Sequence, residues 1–379
     1  MNPRNLPSGD PYIYVTYELN YQFGYVAVID PIEDRIIKRI PVGMNPGPMC
    51  MDPAEKKLYV VNTRGDSVTI IDTGNFNILK TISVGYLGST NVNPIAIFAA
   101  PYGNKVYVAN AGDQSVTIID AETDTVITNV AILTGKPFAL ASSKYSDFVF
   151  VACKVADKKD YAVAISYKND YAYRYSQDFE LTFDETRNPL TVHPDGTTQV
   201  TLGPIGIANY FGNGDIGLAN TSSVLDNTVS GVYLDNKLLF CTTQEEKAIL
   251  KRITDLTVDW RGNITFDKIE DVPSYKGQDK IRVSRTQEYI GITIQPTTLP
   301  TGGLQIYNVN SASSRLVPLS YVGDLAFFSD TKAYVGEPKA IRPIDLATAK
   351  ALPAIPIGFP TDTRINVKNI ISGYSNQST

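Results

Sequence analysis

The strongest constraint on this chain is that part of it is written twice. Lys57-Leu58-Tyr59-Val60-Val61-Asn62, a turn of Thr63-Arg64-Gly65-Asp66 and Ser67-Val68-Thr69-Ile70-Ile71-Asp72 make one unit. They return as Lys105-Val106-Tyr107-Val108-Ala109-Asn110, Ala111-Gly112-Asp113-Gln114 and Ser115-Val116-Thr117-Ile118-Ile119-Asp120. An earlier copy with a longer turn stands as Tyr12-Ile13-Tyr14-Val15-Thr16-Tyr17 with Tyr25-Val26-Ala27-Val28-Ile29-Asp30. The closing aspartates Asp30, Asp72 and Asp120 lie 42 and then 48 residues apart, and each is followed by a short turn and another β-rich run. A unit of about 40–45 residues holding four short β runs is too small to bury both faces of its own sheet. Copies must therefore stack side by side and close into a ring. The spacing predicts an all-β chain, a single closed β-propeller of four-stranded antiparallel blades. The runs are rich in Val, Ile, Thr and Tyr, which suit pleated, half-buried surfaces. A helical period is suggested only from Glu245 to Arg252.

The ring has to close somewhere. The first copy begins at what would be its second strand, and nothing strand-like precedes Pro11. The last recognisable unit ends at Ile355-Pro356-Ile357-Gly358, after which Arg364 to Ile371 reads as a strand without a blade of its own. That strand is expected to supply the missing inner strand of the first blade and so remove an open sheet edge. Residues 11–371 then form the propeller, with flexible tails at 1–10 and 372–379. The divergent middle leaves the blade count open. Residues 186–228 are either a blade, giving eight, or part of an insertion within 155–230, giving seven.

The repeat resembles the YVTN family of β-propeller repeats. Its signature strand stands here as Tyr14-Val15-Thr16-Tyr17, Tyr59-Val60-Val61-Asn62 and Tyr107-Val108-Ala109-Asn110, each followed by a Val-x-Ile-Asp element. The match covers residues 11–133 and fades beyond them, with Ala333-Tyr334-Val335-Gly336 and Arg342-Pro343-Ile344-Asp345 as a worn late copy. The resemblance implies a whole-chain propeller and a place among exported or surface proteins. It implies no single activity.

Composition narrows the function. With 34 basic and 39 acidic residues, a net charge of −5, the chain lacks the basic excess of a dedicated nucleic-acid binder. No apolar run approaches the roughly 18–20 residues of a membrane span, and the first ten residues carry no apolar stretch able to act as a secretion signal. Cys50, Cys153 and Cys241 are isolated within apolar runs, so buried free thiols are expected, with a Cys153–Cys241 bridge as the alternative. His193 is the only histidine. It precedes Pro194-Asp195-Gly196 and reads as an exposed hairpin residue, which excludes sites built from several imidazoles.

The repeated polar residues read as turn chemistry. Asp30, Asp72 and Asp120 sit where an Asx turn is expected, and Asn62 and Asn110 close a strand before a Gly-containing turn. None is assigned to catalysis or metal binding. Tyr167, Tyr171, Tyr173 and Tyr175 crowd one short stretch. Tyrosine offers large contact area with a polar tip, so this segment is expected to protrude and meet a partner. The reading is a non-catalytic scaffold or binding protein that needs no cofactor. It would engage a protein, a glycan or a second copy through its loops, at a cell surface or outside the cell. The alternative is a metal-dependent, lactonase-like hydrolase or lyase working at the channel mouth.

Overall fold

The computed structural model describes residues 11–372 apart from 102, 134, 157–158, 176–180, 213–214, 245–246, 260, 297–301 and 359–363. The β runs pair in chain order, each antiparallel to the next, into eight four-stranded blades. The innermost strands of successive blades touch all the way round a central channel. The region of uncertain count is a blade of its own, the fifth, formed by Leu190–Val192, Thr198–Thr201, Ile207–Gly212 and Asp215–Thr221. Eight is therefore the number, and the seven-blade alternative fails. The sixth blade carries an extra hairpin, Thr257–Val258 with Ile264–Thr265, before its outer strand. The stretch with a helical look ends in a strand, Ile249–Thr254.

Ile365–Ser372 completes the first blade from the inside. It pairs antiparallel with Ile13–Leu19, from Ile13 opposite Ser372 to Leu19 opposite Ile365. Polar contacts bind this strand to its neighbours on both sides. The Asp324 carboxylate, from the loop entering the eighth blade, accepts from the Asn369 amide group and from the backbone N–H of Ile370. Asp324 is 7% exposed and is neutralised by Arg282 of the seventh blade at 3.0 Å. On the other side, Asn369 Oδ1 accepts from the Met49 amide of the second blade at 3.2 Å. A belt of hydrogen bonds thus runs through blades seven, eight, one and two.

Every seam between blades has its own apolar cluster. Tyr14, Val26, Met49 and Leu58 pack between blades one and two, for example, and Val200, Leu239 and Ile253 between five and six. Three of the innermost strands share a second device. Pro46, Pro94 and Pro137 stand opposite Asn62, Asn110 and Cys153, and the register slips immediately afterwards. A channel-lining strand has one unpaired edge, where a proline's missing N–H removes no ladder bond.

Antiparallel succession sorts the connections into two faces. Links from second to third strand, and from one blade to the next, lie on one side, here the loop face. The remaining links lie on the other, the turn face.

Candidate functional sites on the seams, the channel and the loop face

On the turn face, the carboxylates of the repeated aspartates accept backbone N–H bonds. Asp30 Oδ1 receives the amides of Ile32 and Glu33, Asp72 Oδ1 those of Gly74 and Asn75, and Asp120 Oδ1 those of Glu122 and Thr123. These bonds stabilise the ionised form, and Asp120 is held below the usual carboxylate range chiefly by the Thr123 amide. Each turn ends four residues later on a left-handed residue: Asp34 (φ 50°), Phe76 (φ 61°) and Asp124 (φ 55°).

That last turn residue meets the previous blade. Lys57 Nζ reaches Asp124 Oδ2 at 2.8 Å and donates to the Ala121 carbonyl at 2.8 Å. Lys105 Nζ does the same to Asp170 and the Tyr167 carbonyl, at 2.7 and 2.9 Å. Lys332 of the eighth blade grips Asp34 and the Pro31 carbonyl of the first, at 3.0 and 2.8 Å. Tyr59 and Tyr334 add their hydroxyls to the same carboxylates, and burial and the adjacent carboxylate push both phenols up. At two seams a tyrosine stands in the lysine's place, and there the aspartate is absent too. Tyr12 packs edge-on against Phe76 at 5.1 Å across the seam between blades one and two. Tyr289 joins Ala349 in the cluster between seven and eight. Cation with anion, or ring with apolar group: within this one chain the two positions change together.

Asn62 and Asn110 do more than close a strand. Both are fully buried. Asn62 Nδ2 donates to Ser67 Oγ and Thr69 Oγ1, and Asn110 Nδ2 to Ser115 Oγ and Thr117 Oγ1. Asn62 Oδ1 also accepts from the Gly43 amide at 3.0 Å. A Cβ on Gly43 would fall 2.5 Å from Asn62 Cγ, so this approach needs glycine.

The tyrosine segment does not project from the ring. Ala172–Tyr175 is the outer strand of the fourth blade. Tyr167 packs into the seam beside Tyr107 at 5.9 Å and donates to Ser142 Oγ at 2.8 Å. Tyr173 is half-buried against Phe148 and Tyr171, and Tyr171 is exposed at 58%. Tyr175 is placed only through its backbone, in that same strand. The tyrosine excess partly reflects seam construction, since Tyr14, Tyr59, Tyr107 and Tyr334 are all buried.

His193 is likewise a correction. It is completely buried, because the sixth blade covers it with the Tyr233 ring, edge-on at 5.1 Å. The three cysteines are buried and unbridged. Burial pushes all three thiols up, away from thiolate chemistry.

At the loop-face end of the channel, Arg187, Asp279, Lys280 and Arg282 surround a hollow of about 20 Å³. It has room for one water, not for an organic cofactor. Its cations are engaged: Arg187 with Asp279 at 3.4 Å, Arg282 with Asp324, and Lys280 with the Thr186 carbonyl at 2.8 Å. No group of three His, Cys, Asp or Glu side chains able to hold a metal occurs among the described residues.

The loop face itself is unusually apolar. Tyr321, Tyr21, Phe23, Met44, Leu87 and Leu133 lie exposed there in an arc from the eighth blade to the loop entering the fourth, Leu133 at 77% and Leu87 fully. The turn face exposes fewer, with Ile32, Tyr145, Tyr171 and Phe266 the large ones in its links. Sequence reading had no means of finding the arc, because its members come from five separate connections.

The architecture defines a β-propeller protein. Among solved structures, the chain is similar to a dihydro-heme d1 dehydrogenase, NirN, in complex with DHE. There the TM-score is 0.71 at 13% identity, over 98% of this chain and 76% of that one. Apo AztD from Citrobacter koseri gives 0.65 at 12% identity, over 96% and 97%. Hydrazine synthase of Kuenenia stuttgartiensis gives 0.51 at 17%, over 89% and 96%. At these identities the likeness shows the fold. No family model and no curated protein sequence matches the chain.

Proposed function

We propose that this chain is a non-catalytic binding propeller of the YVTN kind that captures a protein or glycan partner on its loop face, in a surface or extracellular assembly. The observation that carries the reading is the apolar arc of Tyr321, Tyr21, Phe23, Met44, Leu87 and Leu133 around one end of the channel. Exposed apolar patches of this kind mark interaction sites in soluble proteins, and aromatic residues recur among binding hot spots. The structural neighbours support a binding role, one being described in complex with a ligand and another as an apo form. Tyr171 offers a second contact on the rim of the fourth blade.

The test compares the intact protein with a Phe23→Ser, Leu87→Ser, Leu133→Ser variant on immobilised glycans and on surface proteins of the producing cell. The expected result is at least tenfold weaker binding with an unchanged melting temperature. Equal binding by the variant overturns the loop-face assignment. Elemental analysis of the purified protein addresses the lactonase-like alternative: a stoichiometric divalent ion at the channel would favour it.

A further inference from the structure

We propose that His193 is a proton-dependent latch across the seam between the fifth and sixth blades. Three of the other seams are clamped by a permanent cation, Lys57, Lys105 or Lys332, set against a left-handed aspartate of the next blade. At this seam a different left-handed aspartate, Asp255 (φ 49°), directly follows the strand Ile249–Thr254 in a turn-face loop of the sixth blade. The group facing it from the fifth blade is an imidazole, with Nε2 3.6 Å from Asp255 Oδ1. A lysine stays charged at any physiological pH, whereas an imidazole changes charge near pH 6.5. The chain's only histidine therefore faces a carboxylate across a seam, as a fixed charge does at the three lysine-clamped seams.

The hydrogen bonding describes the neutral ring. Nδ1 accepts from the Asp195 amide at 3.0 Å, which puts the proton of the neutral imidazole on Nε2. Nε2 and Asp255 Oδ1 are then left without a hydrogen bond although both are buried. Protonation turns Nδ1 from acceptor to donor, exchanging the bond from the Asp195 amide for one to the Asp195 carboxylate, whose Oδ2 stands at 3.0 Å. It also adds positive charge facing Asp255, an attraction between the blades in which the imidazole is buried and the carboxylate is 32% exposed. The remaining groups around the ring are the Tyr233 hydroxyl and Lys237, whose ammonium lies 3.1 Å from Asp255 Oδ1 on the exposed side. Lys237 is half exposed and screens Asp255 only in part. Asp195 supports the arrangement. Burial would raise its carboxyl, yet a protonated His193 and the Thr197 and Thr198 amides hold it below the usual range.

The attraction exists while the imidazole is charged and is lost as pH rises through its titration. Melting temperatures of the whole protein and of His193→Gln, measured at pH 5.5 and 8.0, test this. The expected result is that the wild-type advantage is about 2 °C larger at pH 5.5. Hydrogen exchange, corrected for intrinsic rates, should show the added protection confined to 193–201 and 253–258. Asp255→Asn removes the other partner and should shrink the same pH dependence; if His193→Gln does not fold, this variant alone decides. An advantage equal at both pH values, or larger at pH 8.0, overturns the proposal.

Discussion

The arc from the eighth blade through the fourth and the arc of blades five to seven solve one problem in two ways. Each seam must bury the flat face of a sheet and fix its neighbour's height. In the first arc a short turn with a left-handed last residue meets the first residues of a strand in the preceding blade, with either Lys–Asp or ring–apolar chemistry. In the second arc the solutions are individual. Phe150 meets Phe211 at 4.9 Å between blades four and five, His193 faces Asp255 between five and six, and Phe240 meets Tyr307 at 5.5 Å between six and seven. A repeated clamp makes blades interchangeable. Individual packing makes each seam a separate fit, and it is in this arc that the blade with the extra hairpin is found.

Several experiments would break or sharpen that contrast, beginning with the largest effect. Removing residues 359–379 deprives the first blade of its inner strand and should abolish cooperative thermal unfolding. An unchanged melting curve would mean that the regular arc holds itself without closure. Next, Asp324→Ala strands the Arg282 cation and the Ile370 amide in a buried place, a change that costs about 3–5 kcal/mol. Denaturant titration should show this loss, and Asp324→Asn should recover part of it. A smaller effect is expected at the clamps. A double-mutant cycle of Lys57→Met with Asp124→Ala should give a coupling of about 1 kcal/mol that falls with added salt. The same cycle on Tyr12 and Phe76 should give a coupling that salt leaves unchanged. The smallest effect belongs to Asp120→Asn. Because the folded carboxyl titrates below its ordinary value, its contribution is present above about pH 4 and fades as pH falls further. Wild type and variant should therefore differ slightly at pH 7 and converge in acid.

The contrast also explains what the sequence could and could not disclose. Local chemistry was legible: Asp72 and Asp120 announce their turns, and Lys57 to Asp72 reappearing as Lys105 to Asp120 announces a ring of blades. The fifth blade was ambiguous because its core strands bury polar groups. Gln199, Thr201 and Asn209 are buried and bonded to one another, which breaks the alternation that marks a strand. His193 was misplaced for a related reason. Its own turn, Pro194-Asp195-Gly196, looks solvent-facing, and the Tyr233 ring that covers it belongs to another blade. The lysine clamps escaped notice too, since Lys332 and Asp34 are 298 positions apart. What a single strand or turn decides for itself can be read along the chain; what two blades decide together cannot.

Closure by Ile365–Ser372 has a consequence for the birth of the molecule. The blade begun first is finished last, across a separation of 353 positions between Thr16 and Asn369. While the ribosome is still at work, the emerging chain displays an unmated strand, Ile13–Leu19, whose side chains are all destined for burial. Such an edge invites pairing with another nascent copy. Slow translation or a missing terminus should thus show itself as aggregation before it shows itself as lost binding.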